Sequence, residues 1–247
     1  MRIVSIIIPA YNEEATILEL LTRVNAATIE GITFEIIVVD DHSSDNTYDI
    51  LQQHPEYYTT LCHHEVNQGK GAAVCTALKK ATGDYILFQD ADLEYDPADY
   101  SELLMPIQKL NADIVMGTRM SGAKCSRVHY FWHKVGNKFL TLFFNIINNT
   151  TFSDIYSCYF MYRRSLIDVN QLKTKGWEQQ AEILTKTVKK AKCIYEVPIN
   201  YYGRSYDEGK KIRWHHMIPV LWAIVRFKFL TQEKKHDRRN NPSESNS

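Results

Sequence analysis

With 247 residues, 45% of them hydrophobic, the chain is long enough to bury a sizeable core within one large domain. Lysine plus arginine and aspartate plus glutamate number 29 each, which leaves no global field to favour nucleic acid or a generally acidic partner. Five scattered cysteines without metal-ligand spacing suit a reducing compartment and argue against a disulfide framework.

In chain order, Met1 and Arg2 lead straight into the apolar run Ile3–Pro9, too short for a secretory leader and expected instead to be a buried strand. Ile17, Leu20, Leu21 and Val24 share one helical face within Glu13–Ala27, and Phe34–Asp40 forms a second β-branched strand. A helix over Asp45–Gln53, a weaker strand near Thr59–Glu65 and a helix over Gly71–Ala81 follow, with Gly83 expected to stop that helix before a strand at Tyr85–Gln89. This alternation predicts an α/β fold, a doubly wound, mostly parallel sheet with ligands at the carboxyl ends of its strands. Beyond Gly117 the pattern changes to an amphipathic stretch, a short strand at Cys158–Tyr162, a helix over Glu178–Lys190 and a strand at Cys193–Val197. The last residues, Arg238–Ser247, are polar enough to be disordered.

Chemistry concentrates where apolar runs end. Gln89-Asp90-Ala91-Asp92-Leu93-Glu94 places two carboxylates one residue apart at a strand end, where a magnesium or manganese ion would offset their charge and bridge to phosphates. In isolation the same tripeptide is an ordinary solvated turn, so the neighbouring strand ends carry the argument. Pro9-Ala10-Tyr11-Asn12-Glu13-Glu14 and Asp40-Asp41 close the first two strands, and Tyr11 and Asp40 suit stacking on a nucleobase and accepting its hydrogen bonds. The plain alternatives are a helix cap for Asn12 and a turn for Asp41. No Gly-x-Gly-x-x-Gly follows the first strand, and Gly69-Lys70-Gly71 lacks the phosphate-loop spacing, which disfavours dehydrogenases and phosphate-loop enzymes. The pairs His63-His64 and His215-His216 are expected in packing or surface roles, with no zinc site.

The series Ser5–Glu14, Val38–Asp41, Asn67–Gly71, Asp90-Ala91-Asp92 and Gly117-Thr118-Arg119 resembles glycosyltransferase family 2, and within it the dolichol- and polyprenyl-phosphate mannosyl- or glucosyltransferases. That resemblance implies a GT-A fold with a Rossmann-like nucleotide-binding half. Residues 1–230 would be one catalytic domain, with 1–119 binding the nucleotide sugar, 120–230 forming the acceptor half and 231–247 a polar tail. It further implies that Pro9, Tyr11, Glu13, Val38 and Asp40 hold the nucleoside, Asp90, Ala91 and Asp92 the metal and diphosphate, and Arg119 a phosphate, with Glu94 near the donor sugar. Phe152–Tyr159 and Tyr202–Lys210 resemble the lipid-phosphate branch, where Arg204 and Lys210 would be mobile-loop cations. Asp154 is the acceptor-side candidate for a general base, or else pairs with Arg163, Arg164 or a loop cation.

The expected reaction is inverting transfer of a hexose from a GDP-mannose or UDP-glucose type of donor to a polyprenyl phosphate, with magnesium or manganese as cofactor. A phosphate monoester is largely dianionic at neutral pH and needs little help from a base, whereas a hydroxyl acceptor does need one. A family 2 enzyme acting on a sugar or protein hydroxyl, and a non-catalytic nucleotide-sugar-binding module, are the competing readings. Cys158-Tyr159 stands where many mannosyltransferases of the family have glycine and phenylalanine, so the resemblance does not carry the donor sugar. No apolar run approaches the ~20 residues of a membrane-spanning helix. Val128, Trp132, Val135, Phe139, Leu142, Phe143 and Ile146, and later Trp214, Ile218, Leu221, Trp222, Val225 and Phe229, form amphipathic faces near basic residues. These faces suit either peripheral contact at the cytoplasmic side of a membrane or packing against protein.

Overall fold

A computed structural model describes residues 1–120, 131–203 and 217–230. Its strands are β1 (Arg2–Ala10), β2 (Ile32–Asp40), β3 (Thr60–His63), β4 (Tyr85–Phe88), β5 (Ile114–Thr118), β6 (Phe160–Arg163) and β7 (Ile194–Pro198). Its α-helices are α1 (Ile17–Ala26), α2 (Thr47–Gln53), α3 (Lys70–Lys80), α4 (Tyr100–Leu110), α5 (Phe131–Asn148), α6 (Gln179–Val188) and α7 (Met217–Val225). The strands form one sheet in the order β3-β2-β1-β4-β6-β5-β7, so strands from both halves of the chain share it. Consecutive residues Ile6, Ile7 and Ile8 are all fully buried, as a strand covered on both faces requires.

From β1 the chain winds outward through β2 and β3, then returns to place β4 on the other side of β1, all in parallel. The chain therefore reverses its winding between β1 and β4, which opens a crevice at their carboxyl ends. β6 is inserted antiparallel between β4 and β5, while β7 extends the sheet parallel to β5.

The residues after β1 do not enter a helix at Glu13. Glu13 N donates to Thr47 Oγ1 at 2.8 Å and Glu14 N to Asp45 at 3.1 Å, so this loop is tied to the loop after β2 and α1 begins only at Ile17. Asn12, at φ 54°, is not a helix cap, because its side-chain oxygen accepts from Ser44 N at 2.8 Å across the same pair of loops. Gly83 does not stop α3, which ends at Lys80 in an extended Ala81. A Cβ at Gly83 would lie 2.6 Å from Ser5 Oγ and 2.8 Å from Ser5 N, so this glycine permits close approach to β1.

Helix α5 is apolar on two sides. Leu140 and Phe144 are buried, whereas Trp132, Phe139, Leu142 and Ile146 are exposed. α7 and the π-helical turn Arg226–Leu230 repeat this arrangement: Val220, Ala223, Ile224 and Phe227 face the core, while Ile218, Trp222 and Phe229 face outward. α5 and α7 pack against one another. No described helix is long and apolar enough to cross a membrane.

Candidate active site

The crevice at the carboxyl ends of β1 and β4 is a cleft of about 410 Å³. Pro9, Ala10, Tyr11 and Glu13 line it from the β1 side, and Phe88, Asp90, Ala91, Asp92 and Glu94 from the β4 side. Arg119, directly after β5, also reaches it, as do Tyr156, Cys158, Trp177 and Tyr201.

The turn carrying the two carboxylates is held from beneath by Gln89. Its buried amide donates to Asp90 O at 3.0 Å and Tyr95 O at 3.3 Å, and its oxygen accepts from the hydroxyls of Tyr100 at 2.8 Å and Tyr159 at 2.9 Å. Leu93 takes a left-handed φ of 60°, which a bulky residue tolerates only when its neighbours are fixed. Those neighbours are indeed fixed, since Glu94 N donates to Asp92 Oδ1 at 3.1 Å and Tyr201 Oη donates to Glu94 Oε2 at 2.7 Å.

Lys70, the first residue of α3, places its ammonium 2.5 Å from Asp90 Oδ1 and 5.5 Å from the centre of the Trp177 ring. Desolvation by the cleft wall opposes the charged form of the ammonium even though the side chain as a whole is part-exposed, but the Asp90 carboxylate more than offsets this, and Lys70 titrates above its ordinary range. Cys158 lies against the same carboxylate; burial, and then the charge of Asp90, push its thiol well above its usual value, so it stays neutral.

Asp41 is more than a turn residue. It lines the cleft, yet its carboxylate accepts from Gln68 N at 2.9 Å, Gly69 N at 2.7 Å and His64 Nδ1 at 2.6 Å, fixing the loop that leads into Lys70. His64 Nε2 lies 2.9 Å from Thr76 Oγ1, within hydrogen-bond distance. His63 stacks near Tyr48, their ring centres 4.1 Å apart, and its Nδ1 lies 2.8 Å from Asp40. The other pair, His215-His216, lies outside the described residues.

Several anticipated site residues sit elsewhere than in the cleft wall. Val38 is wholly buried in β2, and Asp40, also wholly buried, accepts from the Ser43 hydroxyl at 2.5 Å and the Ser43 N–H at 3.2 Å as well as from His63. Asp154 pairs with none of the cations expected for it among the described residues: Arg163 binds Asp113 and Arg164 binds Gly83 O. Its partner is Arg119, through Nε at 2.6 Å and Nη2 at 2.9 Å, and the carboxylate is wholly buried. The Arg119 guanidinium lies 4.9 Å from the centre of the Tyr201 ring. Arg204 and Lys210 lie outside the described residues.

Local pattern assigns no role to Lys70, Trp177, Tyr156 or Tyr201, although Lys70 and Tyr156 lie in the Asn67–Gly71 and Phe152–Tyr159 stretches that carry the family resemblance; Lys70 is further marked by its two flanking glycines, and Trp177 by its place at the entry to a helix. Gly71 shows why those glycines are needed, since a Cβ there would fall 2.3 Å from the Lys175 carbonyl carbon and oxygen.

A mixed sheet with a cleft at its winding reversal and paired aspartates at the strand end beside it is the arrangement of the GT-A glycosyltransferase fold. Glucosyl-3-phosphoglycerate synthase from Mycobacterium tuberculosis, crystallised with Mn2+, UDP and glucosyl-3-phosphoglycerate, superposes with a TM-score of 0.68 at 20% identity, covering 94% of this chain and 81% of the other. S. aureus TarS with UDP gives a TM-score of 0.59 at 21% identity over 94% of this chain and 72% of TarS. The glycosyl transferase family 2 model matches residues 5–169, and the chain belongs to that family. It is 31% identical to a dolichol-phosphate mannosyltransferase of Pyrococcus furiosus over 211 residues, 84% of this chain and 58% of that protein. It is 30% identical to a UDP-N-acetylglucosamine–dolichyl-phosphate N-acetylglucosaminyltransferase of Methanococcus voltae, over 85% of this chain and 89% of the relative. A low-salt glycan biosynthesis hexosyltransferase of Haloferax volcanii is 29% identical, and the chain spans 52% of its length. The chain thus covers little more than half of the Pyrococcus and Haloferax relatives.

Proposed function

We propose that this glycosyltransferase moves a hexose from a GDP-mannose or UDP-glucose type of donor to a polyprenyl or dolichyl phosphate at the cytoplasmic surface of a membrane, with inversion. The observation that carries the acceptor class is the state of Asp154: a wholly buried carboxylate spent on Arg119 is poorly placed to take a proton from a hydroxyl. An acceptor that arrives already anionic does not need that help. The dolichyl-phosphate activities named for the Pyrococcus and Methanococcus relatives support the same choice.

In this reading Pro9, Tyr11 and Glu13 flank the nucleoside, with Tyr11, 39% exposed, offering a ring face on which a base could stack. Val38 and Asp40 act from behind, keeping the β2 end and its Ser43 loop in place. Asp90 and Asp92, beside Ala91, would hold the Mg2+ or Mn2+. Two hard carboxylates fit an ion that takes its remaining ligands from substrate phosphates, and the ammonium of Lys70 on Asp90 marks the spot as one that attracts a cation. Bound there, such an ion would neutralise charge on the diphosphate leaving group.

Glu94, oriented by Tyr201, faces the donor sugar, and Arg119, oriented by Asp154, takes a phosphate on the acceptor side of the cleft. Arg204 and Lys210 would screen the repulsion between the two phosphates. One acceptor phosphate oxygen attacks the anomeric carbon as the bond to the nucleoside diphosphate breaks. The bonding pair leaves on the diphosphate, no proton has to be removed first, and the anomeric centre inverts. The outward aromatic faces of α5 and α7, with Lys134 and Lys138 exposed beside the first, suit peripheral binding to an anionic bilayer.

The test is transfer of radiolabel from a panel of GDP- and UDP-sugars to a short polyprenyl phosphate, with Mg2+ or Mn2+ and a chelator control. Label in the lipid fraction from one donor is expected. Label only in soluble glycans would overturn the acceptor assignment.

A further inference from the structure

Lys70 is a cation that already occupies one of the two carboxylates proposed to hold the metal. The backbone on either side of it is tightly set. Gln68 N and Gly69 N both donate to Asp41, Gly69 takes a φ of 90°, and Gly71 sits where even a methyl group would strike the Lys175 backbone. The side chain, by contrast, is 41% exposed and carries its charge on a flexible four-carbon stem. Its ammonium rests on Asp90 Oδ1, with the Trp177 ring on another side.

We propose that Lys70 is a counter-ion latch that makes metal and nucleotide binding depend on one another. While the ammonium sits on Asp90, the charge of that carboxylate is offset, and a divalent ion must break an existing pair to gain its oxygen. An incoming diphosphate offers the ammonium a more highly charged partner within the same cleft. Lys70 then leaves Asp90 for the phosphates and frees the oxygen for the metal. The metal, by taking Asp90, likewise releases Lys70 toward the nucleotide. Such linkage is reciprocal, and couplings of this kind commonly amount to ~5–150-fold in affinity. A metal held tightly only with the donor keeps the cleft from filling with cation alone. This inference rests on the metal role proposed above for Asp90 and Asp92.

The measurement is Mn2+ binding by electron paramagnetic resonance, on the full chain alone and with saturating UDP or GDP, for wild type, Lys70→Gln and Lys70→Arg. Wild type is expected to bind Mn2+ weakly alone and at least about tenfold more tightly with one nucleotide, a gain within the usual range of such couplings. Lys70→Gln is expected to bind Mn2+ more tightly than wild type without nucleotide and to lose most of the nucleotide-dependent gain. Lys70→Arg keeps a cation and is expected to restore the coupling, which a purely structural lysine would not require. A Lys70→Gln protein whose nucleotide-free Mn2+ affinity stays within twofold of wild type overturns the latch while leaving the metal site intact. Wild type that binds no Mn2+ with either nucleotide overturns both the latch and the metal reading.

Discussion

The guanidinium of Arg119 and the carboxylate of Asp154 form a two-pronged ion pair, 2.6 and 2.9 Å, between the end of β5 and the segment leading into β6. Asp154 also accepts from Tyr156 N at 3.1 Å, so its oxygens are committed to holding two segments of the cleft wall. Removing one member of such a buried pair leaves the other charge uncompensated. Asp154→Ala is therefore expected to cost about 3–5 kcal/mol in urea unfolding. A loss below about 1 kcal/mol would show that the pair contributes little to the fold.

Asp92→Asn keeps the shape of the carboxylate turn and removes a hard anionic donor. Transfer in the presence of Mn2+ or Mg2+ is expected to fall at least about a hundredfold, because metal stabilisation of a leaving group is worth several kcal/mol. The residual rate should no longer respond to chelator. Retained metal stimulation would remove Asp92 from the proposed ligand set.

Gly71→Ala places a methyl group 2.3 Å from the Lys175 backbone, where no side-chain tip is available to yield. A destabilisation of about 1–3 kcal/mol is expected from this overpacking. Because Trp177 lies two residues beyond Lys175, the variant should also shift tryptophan fluorescence, and an unchanged emission spectrum with unchanged melting would contradict the contact.

Glu35 accepts from the Ser5 hydroxyl at 2.5 Å, Thr82 N at 2.9 Å, Thr82 Oγ1 at 2.7 Å and Gly83 N at 3.3 Å. Burial alone would raise its pKa, but these donors outweigh burial and hold it below the usual range. A carboxylate depressed in the folded state stabilises above its unfolded pKa, ~4.3, and loses that contribution as pH falls through the folded value. Glu35→Gln should accordingly be about 1–3 kcal/mol less stable than wild type at pH 7. The gap should close as the pH falls below the unfolded value and through the depressed folded one, and a pH-independent gap in denaturation curves would exclude the ionised network.

Trp222 is 57% exposed on the outer face of α7. If that face meets the bilayer, Trp222→Ser should weaken sedimentation with anionic vesicles about tenfold or more, in line with the ~1.5–3 kcal/mol of burying a large apolar side chain. Catalysis on a soluble short-chain acceptor should be retained. Unchanged vesicle binding together with a change in oligomeric state would reassign the face to a protein partner.

The first half of the sheet was legible because its strands are continuous β-branched runs that end in polar clusters, and those clusters form the cleft. Ile32–Asp40 and Thr60–His63 lie within two residues of the expected bounds, as boundary fraying allows. The segment from Tyr100 to Thr118 was not legible: Pro106 interrupts the propensity of α4, and Ile114–Thr118 is a five-residue run with no alternation. Within the site, Asp90 and Asp92 were recognisable from local spacing. The pairing of Lys70 with Asp90, and of Arg119 with Asp154, joins residues 20 and 35 positions apart. Periodicity does not encode such pairs. Asp40 and Asp41 were told apart only by the fold, which turns Asp41 into the cleft wall and leaves Asp40 behind it.

The antiparallel insertion of β6 between β4 and β5 imposes an order on synthesis. In the finished sheet β4 and β5 do not pair with each other but each with Phe160–Arg163, so until that segment has been made neither strand can gain this native partner. The β4 edge in that interval belongs to a fully apolar strand, Tyr85–Phe88, of the kind that recruits other chains. The nascent protein is therefore expected to expose a sticky edge until β6 is available. Slow elongation across residues 120–160 would lengthen that exposure, and chaperone demand should fall on that window.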